Sequence, residues 1–486
     1  MKRQDMMTDR AGKRGFDNGQ RDLKPATFTR LLVALLSLAC LFPCSLLAGD
    51  GNKAEVLGTD KQVTPLGTPP PATLSSLPQG GRIAILGDSI TYGHLYSRVI
   101  EAYLVACAGR KDLSFYTYGW SGATLNTGLG MISDISCFKP TVVTLAYGMN
   151  DGGYRPINDY YRTKYDENLR QSVKSLRNLG VQTIIVASPG AVDTKYFVPP
   201  HPKEEIPTYL GSTDYGTIYN STLGTLAELG RSIAAEVRCP FVDLHTPMME
   251  TMKKAKAALG DDYDVCGRDG YHPRANGGLV MAYAFLKALG CDGKIGEITI
   301  DFDGKSEATE GHVISQSTPG KVEIASSRYP FCFDPDPKLP TSTRSILEVL
   351  PFNQDLNRLI LRVKHLTTQR AKVIWGGEEK EFDRTKLEEG INLVEEFPKT
   401  PFDAEFLRFL SAIAAKQETE NGTIQKYVSG CLLNPADCKK LEKDAEVNQS
   451  LAQFKTSLMN YHDRTEREIY GALPIIKHAI EVQPIR

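Results

Sequence analysis

The sequence predicts an α/β protein, in which a three-layer α/β/α parallel sheet is followed by a smaller β-rich and helical C-terminal region. Two observations support this fold class. Over residues 82–290, short apolar runs rich in Val and Ile alternate with helical patterns, and strands separated by helices form a parallel sheet that is covered on both faces. After Gly290 the runs are separated by Gly, Pro and Asp turns, so a unit of different architecture begins there.

The first unit, residues 82–290, has strands and helices in regular alternation. The predicted strands cover residues 82–86, 114–118, 141–147, 181–188 and 240–244. The predicted helices cover residues 95–107, 123–135, 158–178 and 215–237, with further helical segments on both sides of His272. Ligands bind such sheets outside the carboxyl ends of the strands, so chemistry is expected at the strand ends.

The second half predicts a small antiparallel β unit over residues 291–400 and a charged helical region over residues 401–486. The strand-like runs cover residues 297–302, 321–325, 358–363, 371–375 and 391–394. Residues 475–482 are a candidate for a final strand. Neither segment contains a motif that predicts chemistry.

The N-terminus predicts export. A basic stretch precedes the apolar run from Leu31 to Phe42, which is the arrangement of a signal peptide over residues 1–48. An uncleaved anchor is the alternative, because the run and its tail approach the length that spans a bilayer. Residues 49–81 are rich in Gly, Pro, Thr and Ser and predict a linker. We therefore expect a periplasmic, secreted or cell-surface protein.

Charge and cysteine content narrow the classes of partner and cofactor. The formal net charge is -1, and the sequence contains no basic stripe. No nucleic-acid partner is therefore expected. Of the 10 cysteines, Cys40 and Cys44 lie within the predicted signal peptide. The others permit disulfides in an exported chain, and Cys431 and Cys438 are close enough to pair, with buried free thiols as the alternative. No CxxC motif occurs, and we expect neither a metal nor another cofactor.

Three predicted strands end in residues suited to acyl chemistry. Ser89, in Gly87-Asp88-Ser89, follows the first strand, where a turn into a helix exposes its hydroxyl, although most serines there only cap the helix. Gly122 follows the second strand and Asn150 the third. A glycine N–H and an asparagine amide are suitable donors to an oxyanion, and both residue types are also common in turns.

A base and a carboxylate occur together near the end of the first unit, in Asp269-Gly270-Tyr271-His272-Pro273. The residue before a proline favours an extended conformation, so a loop should present His272. Its imidazole can accept a serine proton while Asp269 fixes the tautomer. Asp243, which also ends a strand, is the alternative acid. The other seven histidines lack such a neighbourhood.

With these four segments in order, the chain resembles the SGNH (GDSL-like) hydrolases, whose signatures are GDS, a glycine after the second strand, GxND and DxxH. The resemblance covers residues 82–290 and implies a flavodoxin-like sheet. It implies that Ser89 is the nucleophile, His272 the general base and Asp269 the acid of a triad. It also implies an oxyanion hole made by the Ser89 and Gly122 N–H groups and Asn150, with no metal.

The implied reaction is ester hydrolysis through an acyl-enzyme, and the substrate remains open. We prefer O-deacetylation of a carbohydrate, because aromatic residues flank the predicted site and are able to stack on a sugar or simply to pack. These residues are Tyr92, Trp120, Tyr147 and Tyr154. A lipase or lysophospholipase-type esterase is an alternative. A non-catalytic surface protein that binds a polysaccharide or a partner is the second class.

One acidic cluster is a candidate cation site. Asp261, Asp262 and Asp264 offer the oxygen ligands that calcium takes, but their spacing matches no known calcium loop. A solvated turn is the preferred interpretation.

Overall fold

The computed structural model describes residues 67–200, 214–334, 336, 338–429 and 443–486. The predicted signal peptide, most of the predicted linker, and both Cys431 and Cys438 lie outside the described residues. None of the described helices is long and apolar enough to cross a membrane.

A five-stranded parallel sheet forms the centre of the first unit, as predicted. Its strands are β1 (Arg82–Gly87), β2 (Ser114–Gly119), β3 (Val142–Ala146), β4 (Thr183–Ala187) and β5 (Phe241–Val242). Their order is β2-β1-β3-β4-β5, which is the flavodoxin-like order. Gly87 pairs with Gly119 and with Ala146. The carboxyl ends of the three strands are therefore level, and the loops that follow them meet at one edge.

Helices cover both faces of this sheet. They are α1 (Ser89–Tyr92), α2 (Ser97–Ala102), α3 (Leu125–Asp134), α4 (Asp159–Asn178), α5 (Tyr215–Glu236), α6 (His245–Leu259) and α7 (Ala275–Ala288). Buried side chains of α2, α6 and α7 pack on one face, and those of α3, α4 and α5 pack on the other. Thr124 and Asn158 cap α3 and α4 by accepting backbone N–H bonds. The three-layer arrangement predicted from the sequence is confirmed.

The β-rich segment contains two sheets. Its strands are β6 (Lys294–Asp301), β7 (Glu307–Ala308), β8 (His312–Thr318), β9 (Lys321–Ser326), β10 (Arg358–Lys364), β11 (Arg370–Trp375), β12 (Glu378–Asp383), β13 (Ile391–Asn392) and β14 (Ile476–Ile485). The sheet β12-β11-β14-β9-β8 is antiparallel throughout, as expected. In the sheet β13-β10-β6-β7, however, β6 and β10 are parallel, because the long connection between them permits a crossover.

The strand predicted at residues 391–394 is wrong in its second half. Leu393 and Val394 are both buried, and successive strand residues point to opposite faces. The chain instead turns into a short helix at Leu393, which buries both side chains on one side.

The remaining helices lie in the second half of the chain. They are α8 (Phe352–Leu356), α9 (Arg384–Glu389), α10 (Leu393–Glu396), α11 (Asp403–Thr419), α12 (Gln425–Val428) and α13 (Ala445–Gly471), with a π-helical turn at Glu420–Ile424 between α11 and α12. One hydrophobic core is continuous from the α2, α6 and α7 face of the parallel sheet into the β-rich segment. The second half of the chain therefore shares its interior with the first.

Part of the predicted linker is also packed against this core. Ala72 and Leu77 are buried, and Gly80 donates its N–H to Asp112. Two isolated apolar residues leave no periodic signal in a Pro-rich sequence, so the packing of residues 72–80 was not predictable. The described cysteines are free thiols, and all but the half-buried Cys137 are buried.

The open edge of the parallel sheet is covered by side chains of the C-terminal helices. The Phe115 N–H of β2 donates to Glu466 Oε1 at 2.8 Å, and the Thr117 N–H donates to Glu420 Oε2 at 2.9 Å. The Phe115 carbonyl accepts from His462 Nε2 at 2.9 Å. The backbone N–H and C=O groups of these β2 residues point away from β1. Side chains of α11, α13 and the π-turn therefore supply the hydrogen-bond partners that a sixth strand would otherwise supply.

These contacts belong to a buried ionic cluster. Lys416 Nζ lies 2.9 Å from Glu101, 3.2 Å from Glu420 and 2.8 Å from Glu466, and its side chain is only 2% exposed. Burial alone would lower the pKa of His462, but hydrogen bonds to Asp463 and Glu420 raise it to about 9. Two cations therefore face three buried carboxyl groups, and burial raises the pKa of one of these, Glu101, to about 7.

The central ammonium should be essential to folding stability. We expect Lys416→Met to lower the free energy of unfolding by about 3–5 kcal/mol, because it leaves buried carboxylates without their cation. Urea denaturation followed by tryptophan fluorescence measures this loss. Lys164→Met is the matched control: Lys164 pairs with Glu167 at 2.8 Å on the surface, and its loss should leave the urea midpoint unchanged. Equal midpoints for both variants would contradict the prediction.

Candidate active site

Ser89 is the first residue of α1, immediately after the switch from β1. The Asp88 side chain caps this helix by accepting the Ile90 N–H at 2.9 Å. Because β1 lies between β2 and β3, Ser89 faces the loops that follow both strands. The predicted location at a strand-to-helix turn agrees with this arrangement.

His272 and Asp269 are brought to Ser89 by the loop before α7. His272 Nε2 lies 2.8 Å from Ser89 Oγ, and His272 Nδ1 lies 2.6 Å from Asp269 Oδ2. The second oxygen of Asp269 accepts the N–H groups of Tyr271 and His272 at 3.1 and 3.0 Å. Burial alone would raise the pKa of Asp269, but the hydrogen bonds from His272 hold it below its ordinary value. Asp269 therefore remains a carboxylate and fixes the imidazole.

A neighbouring loop supports this arrangement. Gly270 has φ +86°, and a Cβ there would lie 2.4 Å from Phe197 Cα, so close packing against Phe197 requires glycine. The Gly270 carbonyl accepts the Asp193 N–H at 2.8 Å. The Tyr271 ring packs against His272 with 4.3 Å between ring centroids. The loop that carries His272 is thus fixed by its packing against Phe197 and by its hydrogen bond with Asp193.

Gly122 and Asn150 lie on the loops that follow β2 and β3. Gly122 has φ +74°, and a Cβ at this position would have no atom within 4 Å, so its backbone borders open space. Asn150 Nδ2 donates to the Ala123 carbonyl at 2.9 Å, which uses one of its two hydrogens. The other hydrogen remains for a ligand. The amide therefore links the two loops.

Tyr154 fixes which way the Asn150 amide faces. Its hydroxyl donates to Asn150 Oδ1 at 2.8 Å, so the oxygen is held away from the Ala123 carbonyl. The Tyr154 ring is 8% exposed and stacks on Tyr219 with 5.0 Å between centroids. Tyr154 also lies at φ +57°, a conformation uncommon for an aromatic residue. Packing holds this strained residue in place.

Two buried carboxyl groups brace the turns beside the site. Asp151 Oδ1 accepts the Leu125 N–H at 2.9 Å, which ties the turn after β3 to the start of α3. Burial raises the pKa of Asp88 to about 7 and that of Asp151 to about 7. Among the described residues, neither carboxyl group forms a hydrogen bond with Ser89 Oγ or with the His272 ring.

Asp243 and the acidic cluster have other partners. Asp243 binds Arg231 at 3.0 Å and accepts the Thr246 N–H, whereas Asp269 is the carboxylate at His272.

Asp261 and Asp262 both bind Lys195, and Asp264 binds Arg268. These carboxylates are paired with cations instead of converging on one point.

The flanking aromatic residues divide into two groups. Tyr147 and Tyr154 are buried and serve packing. Tyr92 is 40% exposed and Trp120 is half-buried, so part of each side chain is accessible to solvent. A pocket of about 200 Å³ also opens beside Ser89 and His272. Its wall is mostly apolar and includes Leu95, Tyr96 and Met281.

A comparison of the sequence with protein-family models gives a match over residues 85–278 to the GDSL-like lipase/acylhydrolase family. The matched residues are a GDSL-like, or SGNH-type, hydrolase domain, which occupies less than half of the chain. The match contains Ser89, Asn150 and His272, and the enzyme therefore acts on ester bonds. No curated protein matches the chain.

Several solved structures are similar to the chain. BT4096, a gut microbial diltiazem-metabolizing enzyme, is 22% identical and has a TM-score of 0.61, covering 85% of this chain and 100% of its own. The similarity thus extends beyond the matched family region. The acetylxylan esterase Axe2 from Geobacillus stearothermophilus is 20% identical, with a TM-score of 0.33 over 44% of this chain and 96% of its own. LAE5, an alpha/beta hydrolase from the metagenome of Lake Arreo, Spain, is 20% identical, with a TM-score of 0.33 over 45% and 97%.

The structure brings together the five residues that the resemblance assigned to the site, whereas the alternative acid Asp243 lies elsewhere. Ser89, His272 and Asp269 form one hydrogen-bonded chain, and Gly122 and Asn150 lie on the adjoining loops. From the sequence, Tyr154 is only a flanking aromatic. Its contact with Asn150 has no signature in a single sequence, because a tyrosine four residues after an asparagine is unremarkable.

The buried Asp88 makes stability depend on pH in a direction that can be checked. Its pKa is about 7 in the folded protein against an ordinary value of 3.8, so the folded state binds the extra proton between these values and loses stability as pH rises through about 7. Asn has no such titration and retains the oxygen that caps α1. We therefore expect the stability of Asp88→Asn, relative to wild type, to increase between pH 5 and pH 8 in urea denaturation.

Asp112→Asn is the control for this measurement. A hydrogen bond from Arg110 lowers the pKa of Asp112 to about 2, so its contribution is complete above about pH 4 and constant from pH 5 to pH 8. If the difference in stability between Asp88→Asn and wild type also stays constant from pH 5 to pH 8, Asp88 is ionised over this whole range and the prediction is wrong.

Proposed function

We propose that the chain is a serine esterase in which Ser89 is the nucleophile, His272 the general base and Asp269 the orienting acid. The hydrogen-bonded chain from Asp269 through His272 to Ser89 supports this function. Ser89 Oγ attacks the ester carbonyl and transfers its proton to His272 Nε2, and the imidazolium that forms is stabilised by Asp269. His272 then gives the proton to the leaving alcohol. Water, activated by the same imidazole, releases the acid from the acyl-enzyme.

The oxyanion of the tetrahedral intermediate is proposed to bind the Ser89 N–H, the Gly122 N–H and Asn150 Nδ2. Fixed donors stabilise the developing charge without reorganisation. Asn150 is fixed on both sides, by the Ala123 carbonyl and the Tyr154 hydroxyl. Tyr154 is accordingly a positioning residue, since it acts on the substrate only through Asn150.

This arrangement predicts a coupled pair of effects on turnover. Asn150→Ala should lower kcat by about 100- to 1000-fold with little change in KM. Tyr154→Phe should lower kcat by about tenfold, because the amide is then free to rotate. In the Asn150→Ala background Tyr154→Phe should add almost nothing, since the two residues act through one group. Steady-state kinetics with p-nitrophenyl acetate as the substrate gives kcat and KM for the two single variants and for the double variant.

Tyr160→Phe, at a tyrosine that is 64% exposed, is the matched control and should leave kcat unchanged. A raised KM with wild-type kcat in Asn150→Ala would refute the oxyanion role. Fully multiplicative effects of the two substitutions would refute the role of Tyr154.

For the substrate we propose a carbohydrate that carries a small O-acyl group, with acetyl as the preferred case. Tyr92, three residues after Ser89 on α1, is 40% exposed, and Trp120, at the start of the loop that carries Gly122, is half-buried. Aromatic faces of this kind suit a sugar ring. Export remains a prediction that rests on the basic segment and the apolar run near the N-terminus.

A lipase-type or lysophospholipase-type esterase is the second candidate, and the pocket beside Ser89 and His272 favours it. Its volume of about 200 Å³ exceeds what an acetyl group fills, and Leu95, Tyr96 and Met281 give it an apolar wall. An ester with a longer apolar group on one side of the carbonyl would occupy it.

Hydrolysis of p-nitrophenyl esters with acyl chains from acetyl to dodecanoyl, and of an acetylated oligosaccharide, tests the proposal. Ser89→Ala should lower kcat by about 10⁴-fold or more on every substrate. Ser133→Ala, at an exposed helical serine, should retain wild-type kcat. A preference for the acetylated oligosaccharide supports the carbohydrate proposal, and a preference for long acyl chains supports the second candidate. Undiminished activity of Ser89→Ala would overturn the serine mechanism.

A further inference from the structure

The catalytic end of β2 is held by the C-terminal helices at Gly119. The Gly119 N–H donates to Asn421 Oδ1 at 3.1 Å, and the Gly119 carbonyl accepts from Gln425 Nε2 at 2.9 Å. Asn421 and Gln425 are only 2% and 1% exposed. Both polar groups of Gly119 that face away from β1 are therefore bound by buried side chains from the far end of the chain.

Asn421 makes a second contact that reaches the nucleophile side of the site. Its Nδ2 lies within hydrogen-bond distance of His94 Nε2, and His94 stands at φ +57° in the turn just after α1. Burial lowers the pKa of His94, so its neutral ring accepts from the amide. One side chain thus joins the end of β2 to the segment that follows Ser89.

Displacement of Gly119 would be transmitted to both catalytic loops. A Cβ at Gly119 would lie 2.2 Å from the Tyr92 backbone nitrogen, so the strand end is packed directly against α1. The next residue, Trp120, donates its N–H to the Gly87 carbonyl at 3.1 Å. Gly122 follows two residues later.

The π-helical turn explains why two consecutive residues of the C-terminal region both bind backbone groups of β2. Glu420 and Asn421 are consecutive in Glu420–Ile424, and both bind N–H groups of β2, at Thr117 and Gly119. Because alternate residues of a strand point to the same edge, these two groups are two residues apart on β2. π-turns within α-helices are frequent where a helix serves a functional site.

We infer that Asn421 is a positioning residue of the esterase, which holds Gly119 and His94 so that the donors of the oxyanion hole and the Ser89 turn keep their catalytic geometry. This inference rests on the proposed function. It assigns the C-terminal helices a part in catalysis, because they support the loop of residues 120–124 that carries Gly122 (the oxyanion loop), without contact with substrate.

Asn421→Ala is expected to lower kcat on p-nitrophenyl acetate by about 10- to 100-fold, as small misplacements of catalytic groups do, with KM within about twofold of wild type. The rate of Ser89 phosphonylation by a p-nitrophenyl phosphonate should fall by a similar factor, since its transition state uses the same oxyanion donors. Asn421→Asp keeps an oxygen for the Gly119 N–H and should restore part of kcat. His94→Ala breaks the second contact without touching β2 and should also lower kcat.

Glu466→Ala is the control for a purely structural role. It removes the acceptor of the Phe115 N–H at the opposite end of the same strand, so it should lower the urea midpoint and leave kcat per titrated active site unchanged. If Asn421→Ala and His94→Ala keep wild-type kcat while Ser89→Ala is inactive, the inference falls and the proposed function stands. If Ser89→Ala is active, the proposed function itself falls. Equal losses of kcat in Asn421→Ala and Glu466→Ala would also overturn the inference.

Discussion

The β2 edge of the parallel sheet, which no sixth strand covers, is the constraint on which much of this structure depends. A parallel sheet is normally buried on both faces, but its edge strands still present unpaired N–H and C=O groups, and a buried unpaired group is costly. At β2 these groups are satisfied by side chains from α11, α13 and the π-turn. The segment from residue 82 to residue 290 therefore does not contain all the partners that its own sheet requires.

The choice of side chains at this edge has an electrostatic consequence. Carboxylates bind backbone N–H groups more strongly than neutral acceptors do, but three of them cannot be buried together without cations. Lys416 and His462 supply these cations. This accounts for a C-terminal region that is strongly charged in sequence and yet buries Lys416, Glu420 and Glu466. Nearer the catalytic end the partners are the neutral amides of Asn421 and Gln425, which place no net charge beside the oxyanion loop.

The local parts of the fold and site were predictable, and the long-range parts were not. Strand and helix periods predicted the parallel sheet, and Ser89, Gly122, Asn150 and His272 could be found because each sits in a short motif at the end of an element. Asn421 meets Gly119 across 302 residues of sequence, and such a contact leaves no periodic or spacing signal. The same reason applies to β6 and β10, whose parallel pairing depends on the crossover and not on the composition of either strand.

The oxyanion loop is held at both ends and in the middle by three side chains, which come from the turn after β3 and from the C-terminal π-turn. Asn421 binds the Gly119 N–H before the loop, and Asp151 binds the Leu125 N–H after it. Asn150 binds the Ala123 carbonyl between them. Gly122 has no atom near its Cβ position, so packing around its own side chain position cannot fix its N–H. The loop is instead held through these flanking anchors and the Ala123 N–H bond to the Trp120 carbonyl, so the oxyanion hole that we propose takes one of its supports from the far end of the chain.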